Sequence, residues 1–126
     1  MSTQMLSEND VRRIVGISGK QSKKVTWHTT QISVRQTLSL SEYIETVRNI
    51  IADCTVQDTY AFEFFDYAFR INIIESFSNV TLPSDADSLF LTAYSSDLFD
   101  TIYRYGNQSQ IDSIKEITRY KIFGKV

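Results

Sequence analysis

"TYAFEFFDYAFRINIIESF", residues 59–77, holds seven of the chain's sixteen aromatic residues. At about 100° per residue, Tyr60, Phe64, Tyr67, Ile71 and Ile74 fall on one helical face. Phe62, Phe65, Phe69, Ile73 and Phe77 fall on nearly the opposite one. Glu63, Asp66 and Arg70 share a narrow polar stripe, with Asp66 and Arg70 at the supportive i, i+4 spacing. Strand alternation fits only "YAFEF". The pattern therefore predicts a helix over 58–78 that is apolar on two sides, and such a helix must be covered from both. This makes it the central axis of a mainly α fold, a small helical domain with other elements packed around it.

Working outward, "TLSLSEYIETVRNIIADC" (37–54) predicts the second main helix, 40–54. Ser39 and Glu42 have capping-box spacing, Leu38 and Tyr43 occupy the hydrophobic-staple positions, and Leu40, Tyr43, Ile44, Val47, Ile50, Ile51 and Cys54 form an apolar stripe. Before it, "KVTWHTTQISVRQ" alternates as a β-hairpin over 25–36, with a turn lacking Asn-Gly or Asp-Gly. Two strands alone are marginal, so the hairpin is expected to lie on a helix.

Beyond the aromatic stretch, "SNVTLPSDADS" breaks the helix, and Pro83 pushes Leu82 toward an extended conformation. Shorter helices are expected over 86–123. Ser84 or Asp85 can cap the first and Ser96 with Asp97 the second. Gly106 and Asn107 stop the second, and the last starts at Ser109 with Ile111, Ile114, Ile117 and Tyr120 at helical spacing. Residues 25–126 thus read as one α-rich domain, and residues 1–24 as an extended polar, basic arm. Within the arm, Ser7 and Asp10 are a helix-start signal, and Val11, Ile14 and Val15 form one short apolar edge. "GISGKQSKK" then ends any helix.

The net charge of -2 hides a segregated pattern. Residues 1–24 set five cations against two acids, for +3; residues 37–103 set two against eleven, for -9; residues 104–126 return to +3. Basic ends and an acidic middle are able to attract one another between copies or toward a partner. The candidate partner-binding residues are Arg12, Arg13, Lys20, Lys23 and Lys24 of the arm. These cations are diluted and have few interleaved aromatics, and an acidic body stands behind them, so nucleic acid is not expected as the main partner. No apolar run approaches the roughly 18 residues of a membrane span, and the start lacks the apolar core of a secretory leader. No membrane partner is expected.

No motif announces chemistry. His28 is the only histidine and Cys54 the only cysteine, which is too few for a zinc site and leaves no local triad signature. The four glycines spell neither a phosphate loop nor a dinucleotide fingerprint. The carboxylate pairs Asp85/Asp87, Asp97/Asp100 and Glu63/Asp66 each have a capping, solvated or charge-balancing role at hand. The sequence-based expectation is a non-enzymatic protein with no cofactor, no metal and no small-molecule substrate.

"KVTWHTTQISVRQTLSLSEYIETV", the aromatic helix, "FSNVTLP" and "AYSSDLFDTI" together resemble small uncharacterised proteins encoded with tailed-bacteriophage structural genes, over roughly residues 24–118. The tryptophan strand, the "TLSL-x-E" helix start and the "N-x-TLP" break carry the resemblance. It implies a virion structural protein, capsid-associated or head-tail connecting, made in the bacterial cytoplasm and acting on other phage structural proteins or copies of itself. A phage tail-assembly chaperone is the alternative within that class, and a small acidic inhibitor of a host enzyme the alternative outside it.

Overall fold

The computed structural model describes residues 7–10 and 22–124. Residues 8–10 are helical. The folded body runs β1 (Ser22–Trp27), β2 (Thr30–Arg35), α1 (Leu40–Asp53), β3 (Thr55–Val56), β4 (Thr59–Tyr60), a 3-10 turn (Phe62–Phe64), α2 (Phe65–Phe77), α3 (Ala86–Tyr94), α4 (Leu98–Tyr105) and α5 (Gln108–Phe123). The fold is mainly helical, with the antiparallel β1–β2 hairpin packed against the helices.

α2 is the axis, as its pattern predicts: it packs against α1, α3, α4, α5 and β2. Phe69, Ile73, Ile74 and Phe77 are buried along it, and Asn72 is buried because its amide donates to Ala68 O (2.8 Å) and to Asp53 Oδ2 (2.9 Å). The helix is shorter than the expected 58–78, however. Gln57 (φ 50°) and Asp58 (φ 65°) both take left-handed conformations in a two-residue turn that pairs Thr55 with Tyr60 and Val56 with Thr59. Ala61 N–H donates to Cys54 O at 2.7 Å and closes this small hairpin. Tyr60 and Phe62 therefore do not share a helix with Phe69. A left-handed pair is costly for residues other than glycine, and the closing bonds hold it.

α1 has the expected capping box: Glu42 N–H donates to Ser39 Oγ (3.3 Å), and Ser39 N–H to Glu42 Oε1 (3.0 Å). Its buried face is rotated from the expected stripe. Leu40 is 76% exposed and Ile44 is also exposed, whereas Thr46 is buried beside Ile50. Thr46 can sit there because its hydroxyl bonds Glu42 O (2.8 Å) and Ser76 Oγ of α2 (2.7 Å).

On α5 the buried series is Ile111, Ile114, Thr118 and Ile122; Ile117 and Tyr120 are exposed. Repeated i+3 steps fall about 60° behind at each stride, so the series drifts off the core unless i+4 steps restore it. The helix is capped by Asn107, whose Oδ1 accepts from Gln110 N–H (3.0 Å), rather than by Ser109. It is the longest helix, not one of a set of short ones. α3 is capped by Asp85 as expected, through Ser88 N–H at 2.9 Å. At α4 the first free N–H donates to Ser96 Oγ (3.4 Å), which leaves the Asp97 carboxylate for another partner.

Long-range bonds fasten the hairpin and α1 to the C-terminal helices. Trp27 Nε1–H donates to Asp97 Oδ1 (2.6 Å), and Gln36 Nε2–H to Tyr105 O (2.7 Å). Leu38 N–H donates to Gln110 Oε1 (2.7 Å), which returns its amide to Leu38 O (3.1 Å). Tyr43 OH bonds Ser113 Oγ. The outer edge of β2 is covered by the chain leaving α2, through the Val34–Ser78 bridge and Ser33 N–H to Asn79 Oδ1 (2.9 Å).

Candidate functional site

The two sides of the aromatic stretch are not covered alike. Phe65, on the inner side, is 6% exposed and stands edge-on to Phe123. Phe64, one residue earlier, is 48% exposed. It lies in the wall of a groove of about 350 Å³ where α1 ends against α2 and α3, together with Val56, Tyr67, Ile71 and Leu89. Ala68 adds to the lining. Val56 reaches the wall because the left-handed Gln57–Asp58 turn folds β3 and β4 back at that point.

The far wall is α3, and a polar clamp holds it. Arg70 donates from Nε to Asp66 Oδ2 (3.0 Å) and from Nη1 to Ala93 O (3.2 Å), and its guanidinium lies 4.8 Å from the centre of the Tyr94 ring. Tyr94 OH donates to the same Asp66 oxygen at 2.7 Å. Burial first, and then the Asp66 carboxylate, push the Tyr94 hydroxyl up to about 12, so it remains a donor at any physiological pH. With α3 fixed in this way, Phe90 (55% exposed) and Leu91 (56% exposed) face water, and Phe90 packs against both Tyr67 and Tyr94. Through Tyr67, Phe90 extends the apolar surface outward from the groove, the kind of patch that marks an interaction site.

One carboxylate lines the groove: Asp53, oriented by the Asn72 amide; burial, and after it the Asp53 charge, raises the Tyr67 hydroxyl's pKa. Asp58 is in the turn beside Val56, and Glu63 precedes Phe64. No lysine or arginine is among the lining residues. Such a surface can take up apolar side chains flanked by positive charge.

The other candidates are scattered. Arg12, Arg13 and Lys20 lie outside the described residues. Lys23 and Lys24 belong to β1, paired with Val34 and Ser33, so the expected arm of residues 1–24 loses its last three residues to the folded body. Lys23 Nζ stands 5.0 Å from the centre of the Tyr105 ring. His28 takes the left-handed first position of the β1–β2 loop (φ 55°), with Nε2 3.2 Å from Asp97 Oδ1. Histidine tolerates that conformation better than most residues. Cys54 is fully buried at the end of α1, and burial, then the Asp53 charge, push its thiol up to about 11. A thiol so placed is a weak nucleophile. Of the carboxylate pairs, Asp85 caps α3, Asp97 accepts from Trp27, and Asp66 is held by Arg70 and Tyr94.

A second hollow, about 330 Å³, is polar and lies beside the Arg35–Glu42 ion pair, with Glu45, Asn49, Glu75 and Ser76 in its wall. Among the described residues no group of three histidine, cysteine or carboxylate side chains is placed to hold a metal. None of the described helices is long and apolar enough to cross a membrane. No protein-family model matches the chain, and no curated protein or solved structure is significantly similar to it. Sequence reading missed the groove because it assigned Phe64 and Phe65 equally buried faces. The only available signal was "LFLTAY", where Leu89, Phe90 and Leu91 are consecutive and a short helix cannot bury all three.

Proposed function

We propose that this protein is a non-enzymatic virion structural protein of a bacteriophage, a capsid-associated or head-tail connecting subunit that works through contacts with other structural proteins and with copies of itself. The observation that carries the reading is the apolar surface formed by Phe64 of the 3-10 turn, Tyr67 of α2 and Phe90 of α3, with Asp53 beside it. Removing the exposed half of one such side chain from water contributes about 1 kcal/mol. A few of them make a weak contact on their own, well suited to an assembly in which many identical contacts act together. The segregated charge supports the same reading, since it orients subunits as they meet. The resemblance of the tryptophan strand, the capped helix and the "N-x-TLP" break to phage-encoded proteins supplies the setting.

Quantitative mass spectrometry of purified particles of the encoding phage tests it. The reading expects a fixed number of copies per particle, at a simple ratio to a head or tail protein. A protein abundant in infected cells and missing from particles overturns it in favour of an assembly chaperone or an inhibitor.

A further inference from the structure

We infer that α1 of one copy pairs antiparallel with α1 of a second copy, about a two-fold axis passing between Thr46 and Val47. The inference rests on the reading that this protein makes contacts with copies of itself, and it names the surface.

Two observations carry it. The first is an apolar seam left on the outer flank of α1. Only Thr46 and Ile50 of this helix are buried. Leu40 is 76% exposed, Ile44 38%, and Ile51 is half-buried. At about 100° per residue these three fall within about 40° of one another. Ile44 also lines a hollow of about 480 Å³ with Ser41, Glu45, Arg48 and Asn49. The second observation is a pair of opposite charges on one side of that seam. Glu45 and Arg48 are both exposed, and among the described residues neither has a hydrogen-bonding or ion-pairing partner. Arg70, the other cation between residues 37 and 103, is already held by Asp66 and Ala93.

The order of these residues along the helix selects a second copy. In a two-fold antiparallel pair each flank of a helix meets the same flank of its copy. With the axis between Thr46 and Val47, Glu45 of each copy stands level with Arg48 of the other, which makes two reciprocal ion pairs. The same axis sets Ile51 of one copy level with the gap between Leu40 and Ile44 of the other, about 3 Å along the helix from each. The apolar side chains therefore interleave. A face whose acid and base exchange places under a two-fold is its own complement, whereas a partner of one sign would leave one of the two charges unmet. The contact covers one short helix, so the dimer is weak on its own.

Sedimentation velocity on the full-length protein tests this, with Glu45→Arg, Arg48→Glu and the double variant carrying both; circular dichroism checks that each is folded. The wild type is expected to dimerise with a Kd between about 10 μM and 1 mM, less tightly at high salt. Glu45→Arg sets arginine against arginine at both pairs, and Arg48→Glu sets glutamate against glutamate, so each alone should dimerise about tenfold more weakly. The double variant exchanges the two charges, keeps the wild-type net charge and should recover wild-type dimerisation. The decisive sample is the equimolar mixture of the two single variants, where the arginines of one copy meet the glutamates of the other. It should associate more tightly than either variant alone. A wild type still monomeric at about 1 mM, single variants that associate as the wild type does, a double variant that stays weak, or a mixture no tighter than its parts would each overturn the inference. A monomeric protein that is nonetheless present in phage particles would leave the structural-protein reading standing and remove only this pairing. A dimer absent from particles would do the reverse.

Discussion

Glu42 joins three parts of the molecule. Its carboxylate caps α1 through Ser39 N–H, accepts Ser39 Oγ–H at 2.9 Å, and pairs with the Arg35 guanidinium of β2. The Arg35 hydrogen bond, and after it the Ser39 backbone N–H, lower its pKa to about 2. A carboxylate held below its unfolded value stabilises the fold above that value, and the contribution fades as pH falls from about 5 toward 2. The side chain is about a third open to water, so after allowing for screening the contribution is about 1 to 2 kcal/mol. Glu42→Gln should therefore lower stability by that amount at pH 7, and denaturant titrations should show the gap narrowing at pH 3. Ser39→Ala should cost about 0.5 to 2 kcal/mol by removing the reciprocal bond. The capping box was legible because it is local, with its partners three residues apart. The Arg35 pair was not, because Arg35 ends a strand, Glu42 lies in a helix seven positions on, and the chain turns between them.

The two neighbouring phenylalanines separate core from surface at the level of the element. Phe65→Ala should destabilise by about 3 to 5 kcal/mol, the usual cost of truncating a buried phenylalanine, whereas Phe64→Ala should cost less than about 1.5 kcal/mol. Denaturant midpoints of the two variants measured side by side check this, and equal losses would mean that the outer side is as well covered as the inner. Sequence periodicity identified α2 as central and was right about Phe65, Phe69, Ile73 and Phe77. It overextended the helix at its start because Tyr60 and Phe64 continue the helical spacing by coincidence. The Gln57–Asp58 turn that breaks the pattern has none of the glycine or asparagine that usually marks a left-handed pair. The drift of α5 away from its i+3 isoleucines has a related cause: isoleucine at a helical interval does not reveal which side faces the core, and Thr118, buried with its hydroxyl bonded to Ile114 O (2.7 Å), breaks the expected apolar sequence.

At the scale of the whole molecule, the helical body has its first strand start at Ser22, three positions before the expected start at residue 25. Composition located the change from polar to apolar sequence but could not show that Lys23 and Lys24 pair across to Val34 and Ser33, since strand pairing with an exposed side chain has no hydrophobic signature. Removing residues 1–21 should leave the thermal midpoint within about a degree of the intact protein, whereas removing 1–24 strips half of β1 from β2 and should lower it by about 4 to 8 °C, corresponding to about 1 kcal/mol. Scanning calorimetry of the two truncations separates these outcomes. The acidic middle segment, legible from composition, contributes Asp53 to the groove, but its placement beside an apolar hollow depends on a turn and on a helix end that only the folded chain brings together.

The bonds from Trp27 to Asp97, Gln36 to Tyr105, Leu38 to Gln110 and Tyr43 to Ser113 all join residues about 70 positions apart. A chain emerging from the ribosome makes its hairpin and its capped helix early and can pack both against α2, yet the partners of these four bonds arrive only with the last third of the sequence. The nascent protein must therefore wait with part of its strand and helix faces uncovered until α4 and α5 emerge. Stalling or premature termination anywhere before α5 leaves a chain with its buried surface open, and such a chain is matter for proteases rather than for assembly.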